Sequence, residues 1–409
     1  MNGISLCDGR AYHRRMDAKQ AAQSVVAKAA QQLIAVSHLV HANPELAYEE
    51  HRSARIVADA LAVDPRFTVQ FGVAGLDTAF TATAGSGPLH LGICAEYDAL
   101  PGIGHACGHN VIASAAVGAG LALAQLADEL GITVTVFGTP AEEGGGGKIV
   151  MLDEGIFDGV HAAMMVHPSP TEADRMHCLS VSHFDVHYHG RTAHASAFPQ
   201  AGVNAADAIT VAQVGVGLLR QHIKTTDRIH GIVTKGGDAP NIVPDHTIAK
   251  FYVRARTIAE LEELEPRVHR IFEAGALATG CTHEIIPYSK PYSEFLDDED
   301  MLALYRSNAE AVGRRFPGPQ KRRPQGQPHD GEHAFSASTD MANVSLRIPS
   351  IHPMLGLDCA PASNHQPEFT AACATETADR AILDGATAMA WTCVDLATSD
   401  EHRRRLLPA

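Results

Sequence analysis

The chain has no extended block of Lys and Arg. Its 32 basic residues are outnumbered by 47 acidic ones, for a formal net charge of −15. A nucleic acid or an anionic membrane surface requires a basic footprint, so both are excluded as partners and small molecules are expected. Nor is there an apolar run at the N-terminus. Residues 1–19 are polar and carry Arg14 and Arg15, so neither a signal peptide nor a membrane span is legible there, and the stretch is expected to be disordered. The eight cysteines follow no regular spacing over 409 residues. That is unlike a disulfide scaffold and points to a reducing compartment, the cytoplasm. A Gly-x-Ser-x-Gly elbow is also missing, which argues against a serine hydrolase.

What is present is a concentration of metal-ligand chemistry. Glu96-Tyr97-Asp98-Ala99-Leu100-Pro101 is followed at once by Gly104-His105-Ala106-Cys107-Gly108-His109-Asn110. Thiol and imidazole suit a borderline-soft divalent ion, and Gly104 and Gly108 let the backbone fold tightly around one. A lone cysteine would read more simply as a buried free thiol, but ionisable residues recur downstream in the same context. The apolar run Pro88–Cys94 leads to Glu96 and Asp98, Ile132–Phe137 leads to Glu142 and Glu143, and Val160–Val166 leads to His167. Helical patterns lie between them at Val111–Leu130 and Lys148–Gly155. The runs read as buried parallel strands of an α/β sheet, whose ligands gather outside the carboxyl ends. Three strands delivering ionisable groups to one edge are hard to explain by packing, and a metal hydrolase is the first expectation.

At this length two domains are the prior, and a hydrophobic content of 45% is ample for burial. The rhythm changes near Leu179. Alternation over Leu179–His189, a helical pattern over Asn204–Gln221, strands at Arg228–Thr234 and His246–Ala255, a helix at Ala259–Ala278 and a strand at Thr282–Pro287 give the order β-α-β-β-α-β. This is the order of a small ferredoxin-like layer of helices on an antiparallel sheet, inserted into an α/β domain. The expected division is 1–178 and 291–409 for the catalytic domain and 179–290 for the insert. Gln320–His333 reads as a mobile loop. His365 stands in a polar loop before a helical pattern at Ala371–Leu396, a position that by itself is weak evidence of ligation.

The segments His41-Ala42-Asn43-Pro44-Glu45-Leu46, Cys107-Gly108-His109, Pro140-Ala141-Glu142-Glu143 with its four glycines and Lys148, Val166-His167-Pro168 and Gly190-Arg191-Thr192-Ala193-His194-Ala195 resemble those of peptidase family M20. Similarity is strongest to the branch with aminobenzoyl-glutamate hydrolase, β-alanyl dipeptidases and auxin-conjugate hydrolases. The resemblance implies a catalytic domain with two divalent metal ions, zinc first with manganese or cobalt as alternatives, and an inserted lid or dimerisation domain. It implies Cys107, His109, Glu143, His167 and His365 as metal ligands, Glu142 as general base, and Asp98 as an orienting carboxylate behind them. His194 would reach the oxyanion, from its own chain or a partner's. Asn241, Arg254 and Glu96 are candidates for substrate contacts. Two departures stand out, Asn110 where many relatives of this branch have Asp and Glu96 where many outside it have His.

The expectation is a homodimeric hydrolase of dipeptides or N-acyl amino acids. An N-acetyl or aryl-amide deacylase on the same site is the near alternative, and a noncatalytic metal-bound scaffold the alternative of another class. A binder has no need of Glu142 as a proton acceptor.

Overall fold

The computed structural model describes residues 6–316 and 336–407, so the segment Gln320–His333 lies outside the described residues. The chain opens with a long helix, α1 (Leu6–His41), followed by α2 (His51–Ala62) and the hairpin strands β1 (Thr68–Phe71) and β2 (Phe80–Gly85). Then come β3 (Leu89–Glu96), α3 (His109–Leu130), β4 (Ile132–Thr139), α4 (Gly147–Asp153), β5 (Ala162–Met164) and β6 (His167–Ser169). The middle of the chain runs β7 (His177–Cys178), β8 (Ser180–His189), α5 (Ala205–Leu219), β9 (Arg228–Lys235), β10 (His246–Ala255), α6 (Ile258–Thr279) and β11 (Thr282–Pro287). The return consists of α7 (Glu299–Ala311), β12 (Ser336–Ala337), α8 (Met341–Ser345), β13 (Ser350–Ile351), β14 (Met354–Gly356), α9 (Pro367–Ala372), α10 (Glu376–Thr398) and α11 (Asp400–Leu406). The described chain forms two compact units, residues 6–176, 295–316 and 343–407 in one, and residues 177–294 and 336–342 in the other.

The first unit is built on a six-stranded sheet in the order β1-β2-β4-β3-β5-β13. β3 pairs in parallel with β4 and β5, and β5 with β13, while β1 and β2 form an antiparallel margin. The carboxyl ends of β3, β4 and β5 therefore share one edge. Helix α3 is buried along nearly its whole length, and it packs against β3, β4, α1 and α10. Its small residues permit this. A Cβ on Gly118 would stand 2.8 Å from Ala386 Cβ and 2.9 Å from Leu33 Cδ1. The helix is apolar and long enough to cross a membrane, but it is the core helix of this unit.

The expectation of disorder over residues 1–19 fails from Leu6 onward, where α1 begins, and residues 1–5 lie outside the described residues. Ala18, Ala22, Val26, Leu33, Val36 and Val40 are buried, a stripe at helical spacing whose apolar burial outweighs the polar character of the other faces. Two boundaries also differ from the apolar pattern. The chain leaves the main sheet after Met164, and His167 opens a separate two-stranded ladder with β14, where Pro168 can do without the amide donor an interior strand needs. The C-terminal helical pattern is broken at 373–375, where Thr375 caps α10 by accepting from the Ala378 N–H.

The second unit is a four-stranded sheet in the order β11-β8-β10-β9, antiparallel at every pair. Phe184, Val186, Tyr188, Ala249, Phe251 and Val253 point to one face and form a core with residues of α5 and α6. The alternate residues of β8 and β10 lie on the other face, which carries no helix of this unit.

Candidate metal centre and active site

Two loops at the carboxyl edge of the main sheet supply most of the site, and His167 at the start of β6 and His365 before α9 complete it. After β3 the chain passes Glu96 and Asp98, both buried, and enters α3 through Gly108. That glycine has φ +79°, and a Cβ there would lie 2.6 Å from Pro168 Cγ and 3.1 Å from Cys373 Sγ. Backbone conformation and space both demand glycine, and the tight passage sets Cys107 and His109 on either side of it. After β4 the chain turns at Ala141, whose φ of 60° is unusual for a residue with a side chain. Its N–H donates to Glu50 Oε1 at 2.9 Å, and its carbonyl accepts from Gly145 and Gly146. Glu142 and Glu143 follow directly. His365 has φ 68° and is held by its N–H to the Ala106 carbonyl at 2.8 Å. Backbone strain of this kind gathers at functional sites.

Hydrogen bonds then aim the side chains. Asp98 bridges the two loops, with Oδ1 2.9 Å from His109 Nδ1 and Oδ2 accepting from the Glu143 N–H at 2.9 Å. A carboxylate at Nδ1 puts the proton there and leaves His109 Nε2 as a donor of electrons. His167 is oriented likewise, by Nδ1 donating to the Pro168 carbonyl at 2.8 Å, and its Nε2 stands 3.5 Å from Cys107 Sγ. His365 Nε2 is 3.6 Å from Glu143 Oε2. Glu96, Glu142 and Glu143 present oxygens at 3.5, 3.8 and 4.0 Å from His109 Nε2. Cys107, His109 and His167 form one group with ligand atoms within 4.8 Å of one another, and Cys107, Glu143 and His365 form another. The two share Cys107, and a third group joins Glu96, His109 and Glu142. All are buried or nearly so except His365, whose side chain is 57% exposed, so the cluster meets solvent on that side.

The electrostatics are those of a site short of positive charge. Burial pushes the Cys107 thiol well up, and the Glu143 carboxylate adds to it. Burial likewise raises Glu143 to about 7, with Asp98 pushing the same way against His109. Burial favours the neutral form of Glu96, but Lys148, whose Nζ lies 2.6 Å from Glu96 Oε1, and then His109 hold it below its ordinary value. Burial opposes charge on His109, yet Asp98 raises it well above normal. His167 is neutral, lowered to about 3 by burial and then by His352. His109 Nε2 and Glu143 Oε1 are buried and make no well-directed hydrogen bond among the described residues. Divalent ions fit this donor set. They would compensate the buried acids, and thiolate, imidazole and carboxylate together suit zinc or a similar metal.

Several residues that matter here had no assigned role in the sequence reading. Lys148 follows the four glycines and neutralises Glu96. His352 packs on His167 with ring centroids 5.3 Å apart, and His105 lies buried against His41. Glu50 holds Ala141. The one signal was position, since Lys148 and His105 both stand within the ligand-bearing motifs. Glu96, a candidate for substrate contact, is completely buried in its ion pair.

His194, Asn241 and Arg254 belong to the second unit. The His194 ring Nδ1 faces the N–H groups of Ser196 and Ala197 at 3.4 and 3.3 Å, which places the ring proton on Nε2, on an exposed side chain. The Asn241 carbonyl accepts from the Ala195 N–H at 3.0 Å, tying down the same turn. Arg254 donates to Ser338 Oγ at 2.9 Å and lies 3.3 Å from His230 Nε2. No carboxylate of the described residues is within ion-pair distance of it, and burial lowers its pKa.

Comparison with known proteins agrees with this chemistry. The profile described as Peptidase family M20/M25/M40 matches residues 92–381. The chain is 37% identical to the Xaa-Arg dipeptidase of Mus musculus, covering 92% of this chain and 88% of that protein. Identity to the Xaa-Arg dipeptidase of Homo sapiens is 34%, over 95% and 91% of the two chains. Among solved structures, a dinuclear metal binding peptidase of the M20 family from Bacillus subtilis superposes with a TM-score of 0.62 at 20% identity, covering 88% of this chain and 97% of the other.

Proposed function

Because the chain belongs to peptidase family M20/M25/M40 and is a metal-dependent hydrolase of peptide or amide bonds, we propose that it is a dipeptidase for substrates with a cationic C-terminal residue. The carrying observation is the pair of ligand groups that share Cys107, with Glu142 beside them. The similarity to Xaa-Arg dipeptidases over nearly the whole chain supports the choice of substrate.

Two divalent ions, zinc in the first instance, held by Cys107, His109, Glu143, His167 and His365, would supply Lewis acidity and a bound water of lowered pKa. The chain's own groups do the rest. The Glu142 carboxylate takes the proton of the attacking water and returns it to the leaving amine. Asp98 fixes the His109 ring. The His194 Nε2–H donates to the developing oxyanion. Arg254, half-buried and without a carboxylate within ion-pair distance among the described residues, receives the free carboxylate of the dipeptide as a charge-assisted pair. Asn241 maintains the His194 turn through its carbonyl. We further propose a homodimer formed through the second unit, because α5 exposes Val214 and Leu218 at 60% and 61% and β9 is an edge strand whose outer side pairs with no strand among the described residues. The irregular spacing of the cysteines supports a reducing compartment such as the cytoplasm.

The test is a panel of Xaa-Arg, Xaa-Lys and Xaa-Ala dipeptides with N-acetyl and aryl amides, assayed on chelator-stripped and metal-restored protein. The expected result is no turnover after stripping, recovery with zinc, manganese or cobalt, and the highest kcat/KM on the basic dipeptides. Full turnover in stripped protein would end the metal mechanism. A preference for N-acyl amides would make the protein a deacylase.

A further inference from the structure

The inserted sheet carries a second set of metal-ligand side chains that the hydrolytic site does not use. His187 and His189 stand two residues apart on β8, so they share a face. His246 opens β10 directly opposite His189 in the antiparallel register. All three lie on the face opposite the Val186, Tyr188 and Phe251 core. The His187 Nδ1 and His246 Nε2 atoms are 3.1 Å apart. The His189 and His246 rings lie 4.7 Å apart at an interplanar angle of 6°. One nitrogen from each of the three rings falls within 4.8 Å of the others, and the residues are partly accessible to solvent.

Three imidazoles converging at this range are the donor set of a first-row transition ion. Zinc–nitrogen bonds of about 2.0–2.1 Å in tetrahedral geometry put neighbouring nitrogens about 3.3 Å apart. The His187–His246 pair already has that spacing, and a His189 nitrogen lies within 4.8 Å of both. Calcium and magnesium call for oxygen ligands and fit poorly. The plain alternative is a hydrogen bond between two neutral imidazoles beside a stacked pair. That arrangement leaves the third ring without a polar role. The surroundings are mixed in charge, with Lys235 and Asp245 acting on His246 in opposite senses and Glu284 opposite His187 on β11.

We propose that His187, His189 and His246 form a solvent-facing site for one divalent ion of the zinc, nickel or copper class, independent in its residues of the Cys107 centre. An ion there links β8 to β10 and stabilises the inserted unit by binding only its folded form. The experiment uses the full chain without a polyhistidine tag, its hydrolytic centre preloaded with zinc, titrated with cupric ion alone. Copper uptake is followed by calorimetry and by electron paramagnetic resonance. Wild type is expected to bind one equivalent more than either His189→Ala or His246→Asn, with a spectrum showing several nitrogen ligands, and both variants keep the hydrolytic activity. Equal copper binding by wild type and a folded variant would overturn the proposal. If both variants misfold, the wild-type spectrum decides, and a bound copper without multiple nitrogen couplings rejects the site.

Discussion

At the scale of residues, Glu142 and Glu143 divide the labour of proton transfer and metal ligation. They are adjacent, yet the backbone N–H of Glu143 is anchored to Asp98, and its carboxylate lies in the group with Cys107 and His365. Glu142 Oε2 stands 3.8 Å from His109 Nε2, in a different group. Glu142→Gln is therefore expected to retain its metal by elemental analysis while turnover drops by at least about a hundredfold, the lower range for a general acid–base group. Glu143→Gln is expected to lose metal. The reverse pattern would mean that the two roles are exchanged. The motif residues were legible in the sequence because each brings its chemistry with it. Lys148 was not, since nothing along the chain says that a lysine after four glycines will turn inward onto Glu96.

At the scale of elements, Glu50 joins two parts of the fold. It stands at the N-terminus of α2, accepts the Ala141 N–H through one oxygen and the Thr78 hydroxyl through the other, and so holds the turn that carries Glu142. Burial raises its pKa from 4.5 to about 7, with Asp98 adding to the shift and these hydrogen bonds opposing it. Folded protein thus retains a proton that unfolded chain has released between about pH 4.5 and 7. Stability therefore falls as pH rises through that window and levels off above it. Glu50→Gln has no such proton but keeps an acceptor for Ala141, so its melting temperature should decline less between about pH 5 and 7.5. Thermal melts across that range check this, and parallel profiles would refute it. Element types were largely legible, because apolar runs and alternation are local. The ends were less so. The break before α10 depends on Thr375 as a cap, and the departure of the chain after Met164 depends on β14 being there to pair with His167.

At the scale of the whole molecule, the homodimer proposal makes a kinetic demand. If His194 serves the partner's site, mixing inactive Glu142→Gln with inactive His194→Ala subunits restores one intact site in each mixed dimer. Activity recovered after subunit exchange, up to about a quarter of wild type for random pairing, is the expected outcome, since half the dimers are mixed and half their sites are whole. Light scattering that shows a monomer, or mixed dimers without recovered activity, would reject action in trans and leave the metal chemistry untouched.

The sequence by itself determined the α/β class, the β-α-β-β-α-β insert and the metal-hydrolase reading, because strand alternation, helical spacing and ligand motifs are written in short windows. Only tertiary structure decided how the charges are shared. That Asp98 serves both His109 and Glu143, that Lys148 neutralises Glu96, and that Glu50 steadies Ala141 are pairings across 11 to 91 positions of chain. Burial also belongs to the folded molecule. It raises Cys107 and Glu143 and makes the cluster a place for cations, and it lays α1 on the core through Ala18, Ala22 and Val26. The facing of His246 to His189 depends on a strand register that the two segments acquire only when they pair.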